Sequence, residues 1–239
     1  MNLVIDIGNT RVKAALFNNK ELVETKWFNS PAEILNDLAF VKQANRAIIG
    51  SVVNESEHFL EKLNSILPAH IFTAGSKIPL KNLYRSASTL GSDRLAASVG
   101  AFALYPNSDV LVIDAGTCIK YNFTNSLNEY LGGGISPGLT MRFKALHEFT
   151  GKLPLVEFDA NYSGLIGDTT QHSILSGVIT GSTAEIDGTI SLYQAQYPNV
   201  ICVITGGDAG HLAKRLKSSI FARQNLVLKG LNHILNCTT

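Results

Sequence analysis

The chain has 239 residues, 45% of them hydrophobic and 16% charged, and a formal net charge of +1. That length holds one large domain or two small ones, the apolar share supplies a real core and argues against disorder, and the near-neutral balance gives no sign of a polyanion-binding surface of the kind nucleic acid requires. Three widely separated cysteines, Cys118, Cys202 and Cys237, form no Cys-x-x-Cys pair, which argues against a zinc or redox motif and fits a reducing cytosol.

From Met1 to Asp6 no basic segment precedes a long apolar run, so the start is predicted as a strand rather than a signal peptide. No apolar stretch approaches the roughly 18 residues of a membrane span. The strand ends at Asp6, turns through Gly8 and returns over Arg11 to Phe17. Asn18-Asn19-Lys20 supplies the next turn, and a third strand covers Glu21 to Phe28. An amphipathic helix is expected over Pro31 to Val41 with Ser30 as its N-cap. A short strand over Ala47 to Ser51 and a helix over Glu55 to Leu67 follow. The next helix, Ser92 to Tyr105, carries Leu95, Val99 and Phe102 on one face.

Residues 111–116, Leu-Val-Ile-Asp-Ala-Gly, then repeat residues 3–8, Leu-Val-Ile-Asp-Ile-Gly, at five of six positions. Both copies continue into a Thr and then an apolar residue with a Lys: Thr10 and Val12-Lys13, Thr117 and Ile119-Lys120. Two copies about half a chain apart imply two similar half-molecules. The second return strand spans Cys118 to Phe123, with Asn125 and Asn128 at the next turn. A helix from Pro137 to Glu148 follows a glycine-rich turn, with Pro where its missing N–H is harmless. The longest helix is expected from Thr170 to Tyr197, with Ile174, Val178, Ile186 and Ile190 as its apolar stripe. Its glycines, Gly177, Gly181 and Gly188, suit either a subunit interface or close packing within the chain. A strand from Val200 to Thr205 ends in Gly206-Gly207, before a helix near Leu212. Interleaved strands and helices indicate an α/β architecture, with a boundary at Pro106-Asn107-Ser108 dividing 1–107 from 108–239.

Several turns carry residues suited to phosphate chemistry. Gly8 is expected to take backbone angles that a β-carbon forbids, which points N–H groups and the Asn9 and Thr10 side chains at an anion. Asp6 can hold Mg²⁺ through water, and Lys13 adds a positive charge. The second turn, Asp114-Ala115-Gly116-Thr117, is equivalent, and two such turns facing each other would hold a triphosphate between two domains. Gly206 and Gly207 would lie flat against adenine or ribose. There is no P-loop, no dinucleotide fingerprint and no nucleophile elbow, and the histidines show no metal spacing.

Five motifs occur in order: Asp6-x-Gly8-Asn9-Thr10-x-x-Lys13, Gly91-Ser92-Asp93-Arg94, Asp114-Ala115-Gly116-Thr117, Gly132-Gly133-Gly134-Ile135-x-Pro137-Gly138, and Gly167-Asp168-Thr169-Thr170 with Ser176-Gly177. They resemble the phosphate and adenosine motifs of the superfamily that includes actin, sugar kinases, acetate kinase and the heat-shock chaperone ATPases. Within it, nearly the whole chain resembles the type III pantothenate kinase family. The resemblance implies two actin-like (ribonuclease H-like) halves with an ATP cleft between them, and ATP-dependent phosphorylation of pantothenate in the cytoplasm. It implies that Asp6, Ile7, Gly8, Asn9, Thr10, Arg11, Val12 and Lys13 hold the ATP phosphates, with Thr117 also touching ATP. Asp93 would be the general base. Tyr84, Gly91, Ser92, Asp93 and Arg94 would line the pantothenate site, with Thr170 contributed by the other subunit of a homodimer. Asp114 would ligate a monovalent cation, K⁺ or NH₄⁺, while Mg²⁺ travels with ATP. Asp93 near a helix start sits where the macrodipole favours a carboxylate, and Arg94 offers a planar fork for the pantothenate carboxylate. Two other readings stay open: a different small-molecule kinase of the same fold, since fold does not fix substrate, and a non-catalytic regulatory accessory protein.

Overall fold

The structure, a computed structural model, describes residues 1–9, 11–51, 56–73 and 75–237. In chain order its elements are β1 (Asn2–Ile7), β2 (Val12–Asn18), β3 (Glu21–Phe28), α1 (Pro31–Asn36), α2 (Leu38–Val41), β4 (Arg46–Ser51), α3 (Ser56–Asn64), β5 (Ala69–Phe72), β6 (Lys81–Asn82) and α4 (Ser92–Leu104). There follow β7 (Val110–Ala115), β8 (Cys118–Thr124), β9 (Glu129–Gly132), β10 (Ile135–Pro137), α5 (Leu139–Glu148), α6 (Thr170–Gln196), β11 (Ile201–Thr205), α7 (Ala209–Ala213), β12 (Phe221–Ala222) and α8 (Leu226–Cys237). The chain packs as two units. The first takes Met1–Ser108, Phe123–Gly132 and the chain from Asn225 on, and the second takes Asp109–Asn122 and Gly133–Gln224.

In the first unit, five strands run in the order β3-β2-β1-β4-β5. β1 is antiparallel to β2 and parallel to β4, so Asp6 faces Lys13 on one side and Ile7 lies beside Ser51 on the other. Successive strand residues point to opposite faces, and here both faces are covered. Leu3, Ile5 and Ile7 join Ile34, Phe40, Phe59 and Leu63 in one buried cluster. Val4 and Ile48 face the other way, toward Leu95 and Val99 of α4 and Leu231 and Leu235 of α8. This double burial explains why β1 reads as an unbroken apolar run.

The second unit repeats the plan. Its strands run β12-β11-β7-β8, with β10 alongside β8, the same order as β5-β4-β1-β2-β3. The sequence echo therefore falls on equivalent hairpins, β1–β2 and β7–β8. The α/β fold with two similar halves stands.

Several local expectations need correction. The predicted 31–41 helix is broken at Asp37, whose carboxylate accepts from Phe40 N at 3.1 Å and from Lys26 Nζ at 2.6 Å. Ser30 occupies the N-cap position of α1 but makes no side-chain cap bond; Glu33 instead accepts from Asn29 N at 2.9 Å. α5 starts at Leu139, with Gly138 as N-cap, because Pro137 ends β10. Glu55, the expected start of the 55–67 helix, lies outside the described residues.

The C-terminal helix α8 packs on α4 in the first unit, so a single cut at 107/108 divides the sequence halves but not the packed units. Glycines make that approach possible. A β-carbon at Gly230 would stand 1.8 Å from the Ala96 carbonyl oxygen, and one at Gly100 would stand 2.3 Å from that of Leu226. Among the described residues no helix is long and apolar enough to cross a membrane.

Candidate active site

The first turn closes where Gly8 N donates to Arg11 O at 3.1 Å. Gly8 does not adopt a left-handed φ, contrary to the expectation from its residue type. Space is what it saves there, since a β-carbon would lie 3.2 Å from Arg11 O. Asn9 and Arg11 are exposed, Ile7 and Val12 are buried, and Thr10 lies outside the described residues. Lys13 donates to the Asn225 side chain, and its Nζ sits 4.4 Å from the centre of the Trp27 ring on β3. Burial draws the Lys13 pKa below the ordinary lysine value, and the charge of Asp6 opposes this.

The Gly-Ser-Asp-Arg motif opens α4 at the same corner. Ser92 Oγ donates to the carbonyl of Ser51 at 2.9 Å, and Ser51 is the β4 residue beside Ile7. One hydrogen bond thus ties the α4 N-terminus to the end of β4, the strand that pairs with β1 where Asp6-x-Gly8 begins. Asp93 turns its carboxylate back, so that Oδ1 accepts from Arg94 N at 2.9 Å. Gly91 leaves room for this, because a β-carbon there would meet Asp93 Oδ1 at 2.5 Å. Arg94 is buried, at 4% exposure, with its guanidinium 5.5 Å from the Tyr84 ring centre. Tyr84 in turn packs against Tyr130 and excludes a side chain at Gly132, whose φ is +103°. Five sequence-predicted residues, Tyr84 and Gly91 to Arg94, are therefore assembled in the first unit.

In the second unit glycines of two motifs, Gly206 and Gly138, close on the Asp114-Ala115-Gly116-Thr117 turn. A β-carbon at Gly206, whose φ is +99°, would stand 2.2 Å from Ala115 O, and one at Gly138 would stand 2.1 Å from Gly116 O. Gly133 approaches the Tyr121 carbonyl equally closely and at positive φ. Asp208 N donates to Ala115 O at 3.0 Å, and burial raises the Asp208 pKa. Thr117, Gly206 and Gly207 are exposed.

Asp114 is buried, and its Oδ2 lies 2.7 Å from Lys120 Nζ. The resemblance assigns a monovalent cation to Asp114; here the cation on its Oδ2 is the Lys120 ammonium group. Among the described residues no cluster of three or more His, Cys, Asp or Glu side chains could hold a metal ion.

Two features escaped sequence reasoning. Glu185 on α6 accepts from Tyr121, Ser136 and Arg142, fixing β10 and the start of α5. Burial alone would raise its pKa, but these three donors hold it below the usual carboxylate value. No spacing pattern announces such a contact, because its partners lie 43 to 64 residues away. The other is Asn225, whose meeting with Lys13 spans 212 positions. At the start of α6, Thr169 is the N-cap and accepts from His172 N at 3.1 Å, while Thr170 is exposed.

The strand order in each unit defines an α/β fold built of two similar halves. The solved structures agree on the fold: a glucokinase from an Antarctic psychrotroph aligns at a TM-score of 0.55 and 13% identity, over 99% of this chain and 98% of that one. A protein described as a conserved Baf family transcriptional activator from Campylobacter jejuni aligns at 0.63 and 20% identity, over 99% and 98%. A family model described as Type III pantothenate kinase matches residues 2–192. A curated Type III pantothenate kinase from Bacteroides fragilis is 44% identical over 238 residues, 99% of this chain and 98% of the relative. The chain belongs to the type III pantothenate kinase family.

Proposed function

We propose that the protein transfers the terminal phosphoryl group of ATP to pantothenate, giving 4′-phosphopantothenate and ADP, the first step of coenzyme A biosynthesis. The observation that carries this reading is the corner of the first unit where Ser92, through Ser51, joins the Asp93 helix start to the Asp6-x-Gly8 turn. Phosphoryl transfer needs positioning and charge neutralisation more than covalent chemistry; this corner supplies positioning, and Lys13 and Arg11 bring positive charge to the same turn.

Asp93 takes the proton from the pantothenate hydroxyl as its oxygen attacks the γ-phosphorus in line. Tyr84, Gly91, Ser92 and Arg94 hold pantothenate around it. Because Arg94 is buried on Tyr84, it shapes this site and contributes a positive field. Asp6, Ile7, Gly8, Asn9, Thr10, Arg11, Val12 and Lys13 receive the phosphates of ATP, whose Mg²⁺ arrives as part of the substrate and meets Asp6 through water. Thr117 touches ATP, and Gly206 and Gly207 lie against its adenosine. The reaction belongs to the cytoplasm and involves neither nucleic acid nor membrane. The test is ADP release by the pure protein across a panel of acceptors. Pantothenate-dependent release is expected, and release with a sugar in its place would favour the other small-molecule kinase.

The protein works as a homodimer, with Thr170 meeting pantothenate in the partner's site. The exposed side of α6 supports this: Gly177, Gly181, Ala184 and Gly188 form a stripe of small residues at helical spacing. Among the described residues, nothing lies within 4 Å of where β-carbons at the three glycines would be. Ile174, Val178, Ile186 and Ile190 are buried on the other side. Thr170 rather than Thr169 is the residue available, since the Thr169 hydroxyl caps the helix. A Gly181→Arg substitution is expected to halve the mass seen by sedimentation and to abolish turnover. An unchanged mass would contradict this interface.

A further inference from the structure

The two echoed hairpins each place a lysine on the strand that returns from the Asp-x-Gly turn, but the lysines have different partners. Lys13, directly across from Asp6 in the register, donates to Asn225 and lies over Trp27. Lys120 instead puts its ammonium 2.7 Å from Asp114 Oδ2, with the two side chains only 19% and 12% exposed. At that distance the contact is a charge-assisted hydrogen bond, and partial burial protects it from screening by salt.

We propose that Lys120 is a built-in cation: its tethered ammonium occupies the position on Asp114 that a free K⁺ or NH₄⁺ would take, so this protein needs no monovalent cation. This rests on the phosphoryl-transfer reading. A lysine ammonium carries the same single charge as either ion and is an alkylated form of the second. It donates up to three hydrogen bonds, one of which is satisfied by Asp114. A free ion on the same carboxylate would have to share it with a group attached to the strand, and two cations on one carboxylate repel each other. Among the described residues no group of three or more His, Cys, Asp or Glu side chains gathers here. Two close backbone approaches, at Gly138 and Gly206, leave little slack for the turn to rearrange. Lys120 thus acts as a positioning residue that places a fixed positive charge on Asp114, the residue that opens the second turn.

The test compares wild type with Lys120→Met in choline, potassium and ammonium chloride at equal ionic strength. Thermal melting without substrates is the first readout. Wild type is expected to melt at one temperature in all three salts, and Lys120→Met to melt higher, saturably, with K⁺ or NH₄⁺. Turnover is the second. Wild type should run equally fast in choline, and the variant should fall by roughly tenfold or more and recover with either ion, as for loss of one charge-assisted hydrogen bond. A saturable K⁺ effect on wild type, or a Lys120→Met protein blind to both ions, would overturn the proposal. Should Lys120→Met fail to fold, Lys120→Arg keeps the charge and is expected to remain independent of cations; cation dependence in it would likewise overturn the proposal. Absence of turnover in every salt would sink the phosphoryl-transfer reading alone, since the melting comparison does not depend on substrate.

Discussion

Asp93→Asn is expected to lower turnover by roughly a hundred- to ten-thousand-fold, the usual contribution of a positioned general base, while ATP binding persists. The substitution changes charge and basicity but not size. An asparagine carbonyl can still accept from Arg94 N, as Asp93 Oδ1 does at 2.9 Å, so the first turn of α4 keeps its geometry. Ser92 remains bonded to Ser51, and the phosphate turn is not disturbed. What is lost is the basic oxygen that accepts the hydroxyl proton. ATP binding can be followed independently, because the chain has one tryptophan and its ring lies against Lys13. A fluorescence titration of the variant should match that of wild type. Turnover at the wild-type rate would remove Asp93 as the base.

Gly230→Ala is expected to destabilise the protein by about 1–3 kcal/mol, the range for overpacking a close contact. The sign distinguishes this from propensity, since Gly to Ala inside an exposed helix ordinarily gains about 1 kcal/mol. On α8 the new methyl carbon would stand 1.8 Å from Ala96 O and 2.9 Å from Gly100 N. Backbone cannot rotate away as a side chain would, so α8 must move off α4. Gly210→Ala on α7 is the control: nothing among the described residues lies within 4 Å of its added carbon, and it should be neutral or stabilising. Urea melts of both variants would measure the difference. A stabilised Gly230→Ala would contradict the packing.

These two residues also mark the limits of sequence reading. Asp93 was legible because its motif is local: Gly91, Asp93 and Arg94 act on one another within a single helical turn. The echoed hairpins were legible for the same reason, and so was α6, whose buried isoleucines keep the helical period over many turns. Gly230 was not, because a glycine in an apolar run reads as weak helix until its partner Gly100 is known. The break at Asp37 was hidden similarly, since the carboxylate that caps α2 is held by Lys26 on β3. In the site, the sequence offered the lysine after each turn but not its partner. Lys13 and Lys120 hold like places in the echo and were separated only by three-dimensional contacts, Asn225 for one and Asp114 for the other.

The most direct measurement is phosphorus NMR of the product formed by the pure protein from ATP and pantothenate. The expected result is one new phosphomonoester on the 4′ oxygen of pantothenate, appearing in step with ADP. ATP bound and left intact in the presence of pantothenate, or ADP formed with no phosphate on pantothenate, would contradict the assignment of this chain as a pantothenate kinase.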